Sequence, residues 1–157
     1  MIVLGIDPGS RMTGWGVIQC QKNQTRVIDS GFIALKQEDF SQRLKLLHQK
    51  LQEVLQRHRP DEVSIESLFV HKNAMSALKL GHARGICLLS AAESGIPYSE
   101  YAPRAVKLAV TGSGSADKAQ MQRMMQLYLN VDRQFQADEA DALALAVCHL
   151  HHLTHRM

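Results

Sequence analysis

The chain has 157 residues, 45% of them hydrophobic, and a formal charge of +3. That length predicts one domain over 1–157. No apolar run approaches the ~20 residues needed to cross a bilayer, and a mildly basic balance points only weakly to nucleic acid. If four of the 15 acidic residues are committed to metal, 11 remain against 18 basic ones, and the pointer sharpens. Three far-apart cysteines, Cys20, Cys87 and Cys148, include no CxxC pair, so they read as reduced thiols in a cytoplasmic protein rather than as a disulfide frame or zinc site. Met1-Ile2-Val3-Leu4 lacks the positive region of a signal peptide, which agrees with a cytoplasmic location and no membrane partner.

Ile2-Val3-Leu4-Gly5-Ile6 has the pattern of a buried strand ending at Asp7, and Asp7-Pro8-Gly9-Ser10 has the composition of a tight turn. Thr13 to Cys20 and Arg26 to Leu35 are two further strands around a Lys22-Asn23-Gln24 hairpin turn, completing an antiparallel meander. From Phe40 to Arg57 the period becomes helical, with Leu44, Leu47, Leu51 and Val54 on one face and Pro60 as the stop. Val63 to Glu66 is then a short strand reached by a helical crossover, which makes it parallel to the first. A helix follows from Ala74 to Glu93, stopped by Gly95, and Pro97 to Tyr101 forms a last strand. Pro103 opens a short helix, Ser115 is placed as the cap of a helix running to Leu129, and a final helix spans Ala137 to His152. The sum is an α/β fold: a mixed five-stranded sheet, three antiparallel strands then two parallel, flanked by helices.

Four acids stand out by position. Asp7 and Glu66 end the first and fourth strands at the carboxyl edge, where α/β sheets collect ligand groups. Asp138 and Asp141, three apart at a helix start, lie about 60° apart around the axis, whereas Glu139 is turned about 100° from Asp138. Anions gathered on one spot repel and need a cation to stay ionised, and Mg²⁺ held by carboxylates is the natural one. Taken singly, Asp7 is also explained as a turn acid and Asp138 as a helix-start acid favoured by the dipole.

These residues resemble a known family. Gly5-Ile6-Asp7-Pro8-Gly9-Ser10 with Thr13-Gly14-Trp15-Gly16, Ile65-Glu66-Ser67-Leu68-Phe69, Lys72-Asn73-Ala74, Ser76-Ala77-Leu78-Lys79-Leu80-Gly81 with Ala83-Arg84-Gly85, Tyr101-Ala102-Pro103 with Val106-Lys107, Gly114-Ser115-Ala116-Asp117-Lys118 and Ala137 to Ala144 follow the order of RuvC Holliday-junction resolvases over nearly the whole chain. The resemblance implies a ribonuclease-H-like fold and a homodimer that nicks four-way junctions in symmetric pairs. It also implies Mg²⁺ (with Mn²⁺ as a substitute) on the catalytic acids Asp7, Glu66, Asp138 and Asp141, and cooperation with the RuvA–RuvB branch-migration complex. Lys107 and Lys118 match family lysines near the scissile phosphate. Phe69 matches an aromatic that meets junction bases, and Lys72 stands beside it as a further DNA contact. Family members commonly continue into a basic tail, whereas this sequence stops at Met157.

Other features have plainer readings. Ala74, Ala77, Gly81 and Gly85 share one helix face, suited either to packing on the sheet or to a dimer contact. Trp15 is expected in the core, Met121, Met124 and Met125 are expected as core filling, and His149, His152 and His155 form a polar, weakly basic face rather than a metal site. The competing functions are a ribonuclease H or YqgF-like RNA-processing enzyme on the same fold, and, from other classes, an actin-like ATPase or a DNA-architecture protein. The ATPase would need a second Asp-x-Gly strand signature and two lobes, and the architecture protein has no use for four converging acids.

Overall fold

A computed structural model describes residues 1–22, 24–67 and 73–154. Its elements in chain order are β1 (Ile2–Asp7), β2 (Met12–Gln21), β3 (Gln24–Ala34), α1 (Phe40–His58), β4 (Glu62–Glu66), α2 (Ala74–Glu93), β5 (Tyr98–Tyr101), α3 (Pro103–Thr111), α4 (Lys118–Leu129) and α5 (Ala137–Thr154). The sheet order is β3-β2-β1-β4-β5. β1 pairs antiparallel with β2, and β2 with β3, while β1–β4 and β4–β5 are parallel. The expected mixed five-stranded sheet is therefore present.

The pleat divides the strand residues between two cores. Leu4, Ile6, Val63 and Ile65 face α1 and α2, packing on Leu47, Leu51 and Leu55 and on Ala83, Cys87 and Ala91. Val3 and Ile18 face the other way, with Val106 of α3, Met121 and Met125 of α4, and α5 from Ala140 to Leu150. Met121 and Met125 are core residues as expected, while Met124 is only partly buried against that core.

Helix α5 lies unusually close to the sheet because glycines floor its path. A Cβ on Gly5 would stand 1.9 Å from the Ala142 carbonyl oxygen, and one on Gly14 would stand 2.0 Å from that of Asp138. No side chain fits at either contact. Ser64 adds a hydrogen bond of 2.8 Å from its hydroxyl to the Leu145 carbonyl.

Four expectations change. Ser115 does not cap α4. Asp117 does, accepting from the Gln120 backbone N–H while Gln120 Oε1 accepts from that of Asp117, a reciprocal capping box whose sequence signature has Asp in place of the usual Ser or Thr. The Ala74/Ala77/Gly81/Gly85 face does not pack on the sheet: α2 buries Ala83, Cys87, Ser90 and Ala91 instead, and a Cβ on Gly85 would meet only open space. His149 does not belong to a solvated face, being 1% exposed. Its Nε2 meets Glu62 Oε2 at 2.8 Å and its Nδ1 meets the Tyr101 hydroxyl at 2.8 Å, so α5 turns this histidine inward toward the sheet. Trp15 is only half-buried, its ring centroid 6.0 Å from that of His58. His155 lies outside the described residues.

Candidate functional site

Backbone geometry brings the acids together. Val3 faces α5, as does Gly5, so period-two alternation turns Asp7 to that side as well. Ser64 faces α5 through its bond to Leu145, and so by the same alternation does Glu66. The parallel register pairs Ile6 with Ile65, which puts Asp7 and Glu66 side by side at the carboxyl edge. Helix α5 reaches this edge with its first turn, because Gly14 lets Asp138 close down on β2. Asp141, one turn on, projects beside Asp138.

Below Asp7, Thr13 holds the Pro8-Gly9 turn in place. Its hydroxyl donates to the Gly9 carbonyl at 3.1 Å, and Thr13 Oγ1 accepts from the Gly9 N–H at 3.2 Å. Opposite the acids, Pro103, Val106 and Lys107 of α3 and Lys118 and Met121 of α4 line a pocket of about 200 Å³ together with Glu66 and Asp141. Lys107 and Lys118, separate in sequence, thus face the same carboxylates. Phe69 and Lys72 lie outside the described residues.

The electrostatics are those of acids lacking a cation. Burial, then the charges of Glu66, Asp141 and Asp138, push Asp7 from its ordinary 3.8 up to about 8. A hydrogen bond from protonated Asp7 to Glu66 adds to this and favours the charged form of Glu66. Burial and Asp141 still raise Glu66 above the carboxylate range, with Lys107 opposing. Burial raises Asp141 too, while Lys118 and Lys107 pull it back. Protons therefore do part of what a cation would do. Among the described residues no group of three or more His, Cys, Asp or Glu side chains stands at metal-holding distances in the ion-free protein. Hard oxygen donors, crowded, partly desolvated and raised in proton affinity, nevertheless fit a divalent ion such as Mg²⁺ or Mn²⁺.

Glu139, which the helical spacing turns away from Asp138, is held by a different set of partners. It is 5% exposed and accepts from Ser30 at 2.9 Å, from Arg133 at 2.9 Å and from the Gln136 N–H at 2.9 Å. Burial pushes its carboxyl up, but the bonds from Arg133, Gln136 and Ser30 outweigh this and hold it below the usual range. Its sequence signal was weak: an acid three residues beyond Gln136, where a side chain can reach back to a free N–H at a helix start.

A family model described as crossover junction endodeoxyribonuclease RuvC matches residues 3–149. The chain belongs to the RuvC family. The crossover junction endodeoxyribonuclease RuvC of Dichelobacter nodosus is 48% identical over 151 residues, covering 96% of this chain and 86% of that protein. The RuvC of Shewanella loihica is 47% identical over 150 residues, covering 96% and 87%. Among solved structures, Thermus thermophilus RuvC superposes with a TM-score of 0.89 at 32% identity, covering 99% of this chain and 97% of that one. The same protein in complex with Holliday junction substrate gives 0.89 at 30% identity, covering 99% and 96%. The ribonuclease-H-like arrangement of the RuvC fold expected from the resemblance is thereby established for this chain.

Proposed function

We propose that this RuvC-family chain is a structure-selective endonuclease that resolves four-way DNA junctions by paired symmetric nicks, using a divalent cation on Asp7, Glu66, Asp138 and Asp141. The observation that carries this reading is the convergence of Asp7, Glu66 and Asp141, desolvated and raised in proton affinity, with Glu66 and Asp141 sharing one pocket with Lys107 and Lys118. A 30% identical structural relative solved with Holliday junction substrate supplies the substrate class.

When bound, Mg²⁺ or Mn²⁺ would supply positive charge against the phosphodiester and lower the pKa of an attacking water. The protein's own groups do the rest. Asp7, protonated and donating to Glu66 in the ion-free protein, would hold such an ion together with Glu66 as a pair of carboxylates. Lys107 and Lys118 hold the phosphate from the far side of the pocket and shield it from the carboxylates. Asp138 and Asp141 ride on α5, whose close approach to the sheet the glycine floor permits. Phe69 and Lys72 are assigned to junction contacts on the family match alone.

A junction with two symmetric cuts requires two sites. Met75, Leu78 and Leu89 on the outer face of α2 are 62%, 57% and 47% exposed, with the bare surface of Gly85 between the last two. We assign this stripe to a two-fold dimer contact of one α2 on another. The RuvA–RuvB machine is the partner that would deliver junctions to such a dimer in the cytoplasm.

The test is a labelled four-way junction beside a matched duplex, with Mg²⁺, Mn²⁺ or EDTA, for wild type and Asp7→Asn. Paired nicks in the junction alone, abolished by EDTA and by Asp7→Asn while binding persists, are expected. Preferred cutting of an RNA–DNA hybrid, or binding with no cleavage under either metal, would overturn the reading.

A further inference from the structure

We infer that Glu139, with Arg133 and Ser30, is a positioning device for the carboxylate site. It is a buried latch that sets where α5, and with it Asp138 and Asp141, sits against the sheet and against Lys118. The inference rests on the nuclease reading for its catalytic consequence, but the latch has its own readout in cation binding.

The geometry is specific. The segment 131–136 leads from α4 into α5 and has no regular structure of its own. Glu139 ties its far end to the sheet: one carboxylate oxygen accepts from Ser30 of β3 and from Arg133, both at 2.9 Å, and the other accepts from the Gln136 N–H at 2.9 Å. Arg133 in turn donates to the Ser30 hydroxyl at 2.8 Å and stacks its guanidinium over Phe135, 4.5 Å from the ring centroid. Asp29 also lies close enough to Arg133 to act on it electrostatically. Phe135 is 2% exposed and belongs to the core under α5, so the stack joins the latch to packed structure.

The near end of the segment is held by α4. Gln122 donates to the Phe135 carbonyl at 3.0 Å and Gln126 to the Arg133 carbonyl at 2.9 Å. Lys118, Gln122 and Gln126 are spaced four apart, so they occupy one face of α4. The two amides that read the segment's carbonyls therefore fix the helix that points Lys118 at Asp141. One residue either side of Glu139 stands Asp138 or the turn toward Asp141. A slack segment would let this first turn of α5 shift away from Asp7 and Glu66, which are held on the rigid sheet.

Glu139 does not face the reacting groups, so its effect on them is indirect. Groups that orient metal ligands typically change cation affinity or activity by about 10- to 100-fold when removed. Because Glu139→Ala leaves Arg133 without its main partner, two milder variants accompany it. Ser30→Ala deletes one bond, and Arg133→Met keeps an apolar stem over Phe135 while removing the charge.

The experiment compares wild type with Glu139→Ala, Glu139→Gln, Ser30→Ala and Arg133→Met. It measures the Mg²⁺ or Mn²⁺ concentration at half of the metal-induced rise in melting temperature, without DNA. The single-turnover nicking rate of a four-way junction against Mg²⁺ is measured in parallel. The expected result is an increase of about 10-fold in the half-saturating cation concentration for Glu139→Ala and Arg133→Met, with smaller increases for Glu139→Gln and Ser30→Ala. Junction binding in Ca²⁺ should be unchanged. Folded variants that melt lower but keep the wild-type cation dependence would overturn the latch as a positioning device and leave it a stability element. If wild type fails to nick, the nuclease reading falls, while the cation-induced melting shifts still decide the latch.

Discussion

Replacing Asp7 by Asn should stabilise the cation-free protein while abolishing cleavage. Asp7 ionises near 3.8 in an unfolded chain and near 8 in the fold, where burial and the neighbouring acids disfavour its charge. Between those values the folded state binds the extra proton, so stability falls as pH rises through that window. Each pH unit costs about 1.36 kcal/mol. The accumulated cost is about 2 kcal/mol at pH 5 and about 4 kcal/mol at pH 7, levelling off above pH 8 as the folded-state group itself ionises. An amide never pays for that proton and can still donate to Glu66. In EDTA, Asp7→Asn should therefore be more stable than wild type by up to about 4 kcal/mol at pH 7, and the gap should shrink to about half at pH 5. For a chain of this size that corresponds to roughly 8–15 °C in melting temperature at neutral pH. Urea unfolding from pH 5 to pH 8 measures the gap directly. Mg²⁺ should narrow it by raising wild type alone. A variant no more stable than wild type at pH 8 in EDTA, or a gap that does not change with pH, would refute the claim that repulsion and desolvation dominate at Asp7.

Three further outcomes are expected. Gly14→Ala places a Cβ 2.0 Å from the Asp138 carbonyl oxygen, so it should cost about 3 kcal/mol or more and remove nicking, and a variant with wild-type melting and rate would contradict the glycine floor. Lys118→Met removes a cation that lowers the Asp141 pKa, so Asp141 needs higher pH to ionise. The acid limb of the nicking rate should therefore move to higher pH and the rate at pH 7 should fall by about 10²-fold, as pH–rate profiles will report. Leu78→Glu puts a charge in the centre of the exposed α2 stripe, and sedimentation should show a monomer that still melts cooperatively; an unchanged dimer would place the contact elsewhere.

Much of this protein is legible in one dimension. Period-two and period-3.6 patterns locate the strands and helices because each element must bury one face, and the crossover through α1 returns the chain so that β4 runs parallel to β1. The same reasoning sets Asp7 and Glu66 at one sheet edge, and three-residue spacing sets Asp138 and Asp141 on one side of a helix. Other features are decided only by the tertiary structure, because they depend on which surfaces meet. Gly5 and Gly14 read as small residues until α5 lies across them. Glu139 looks like a solvated acid on the wrong side of its helix until β3 brings Ser30 beneath it. His149 looks like one of several surface histidines until Glu62 and Tyr101 close on its two ring nitrogens. Spacing states what a residue's own element permits, whereas burial and charge pairing are properties of the neighbour, and the neighbour can lie more than a hundred residues away along the chain, as Ser30 does from Glu139.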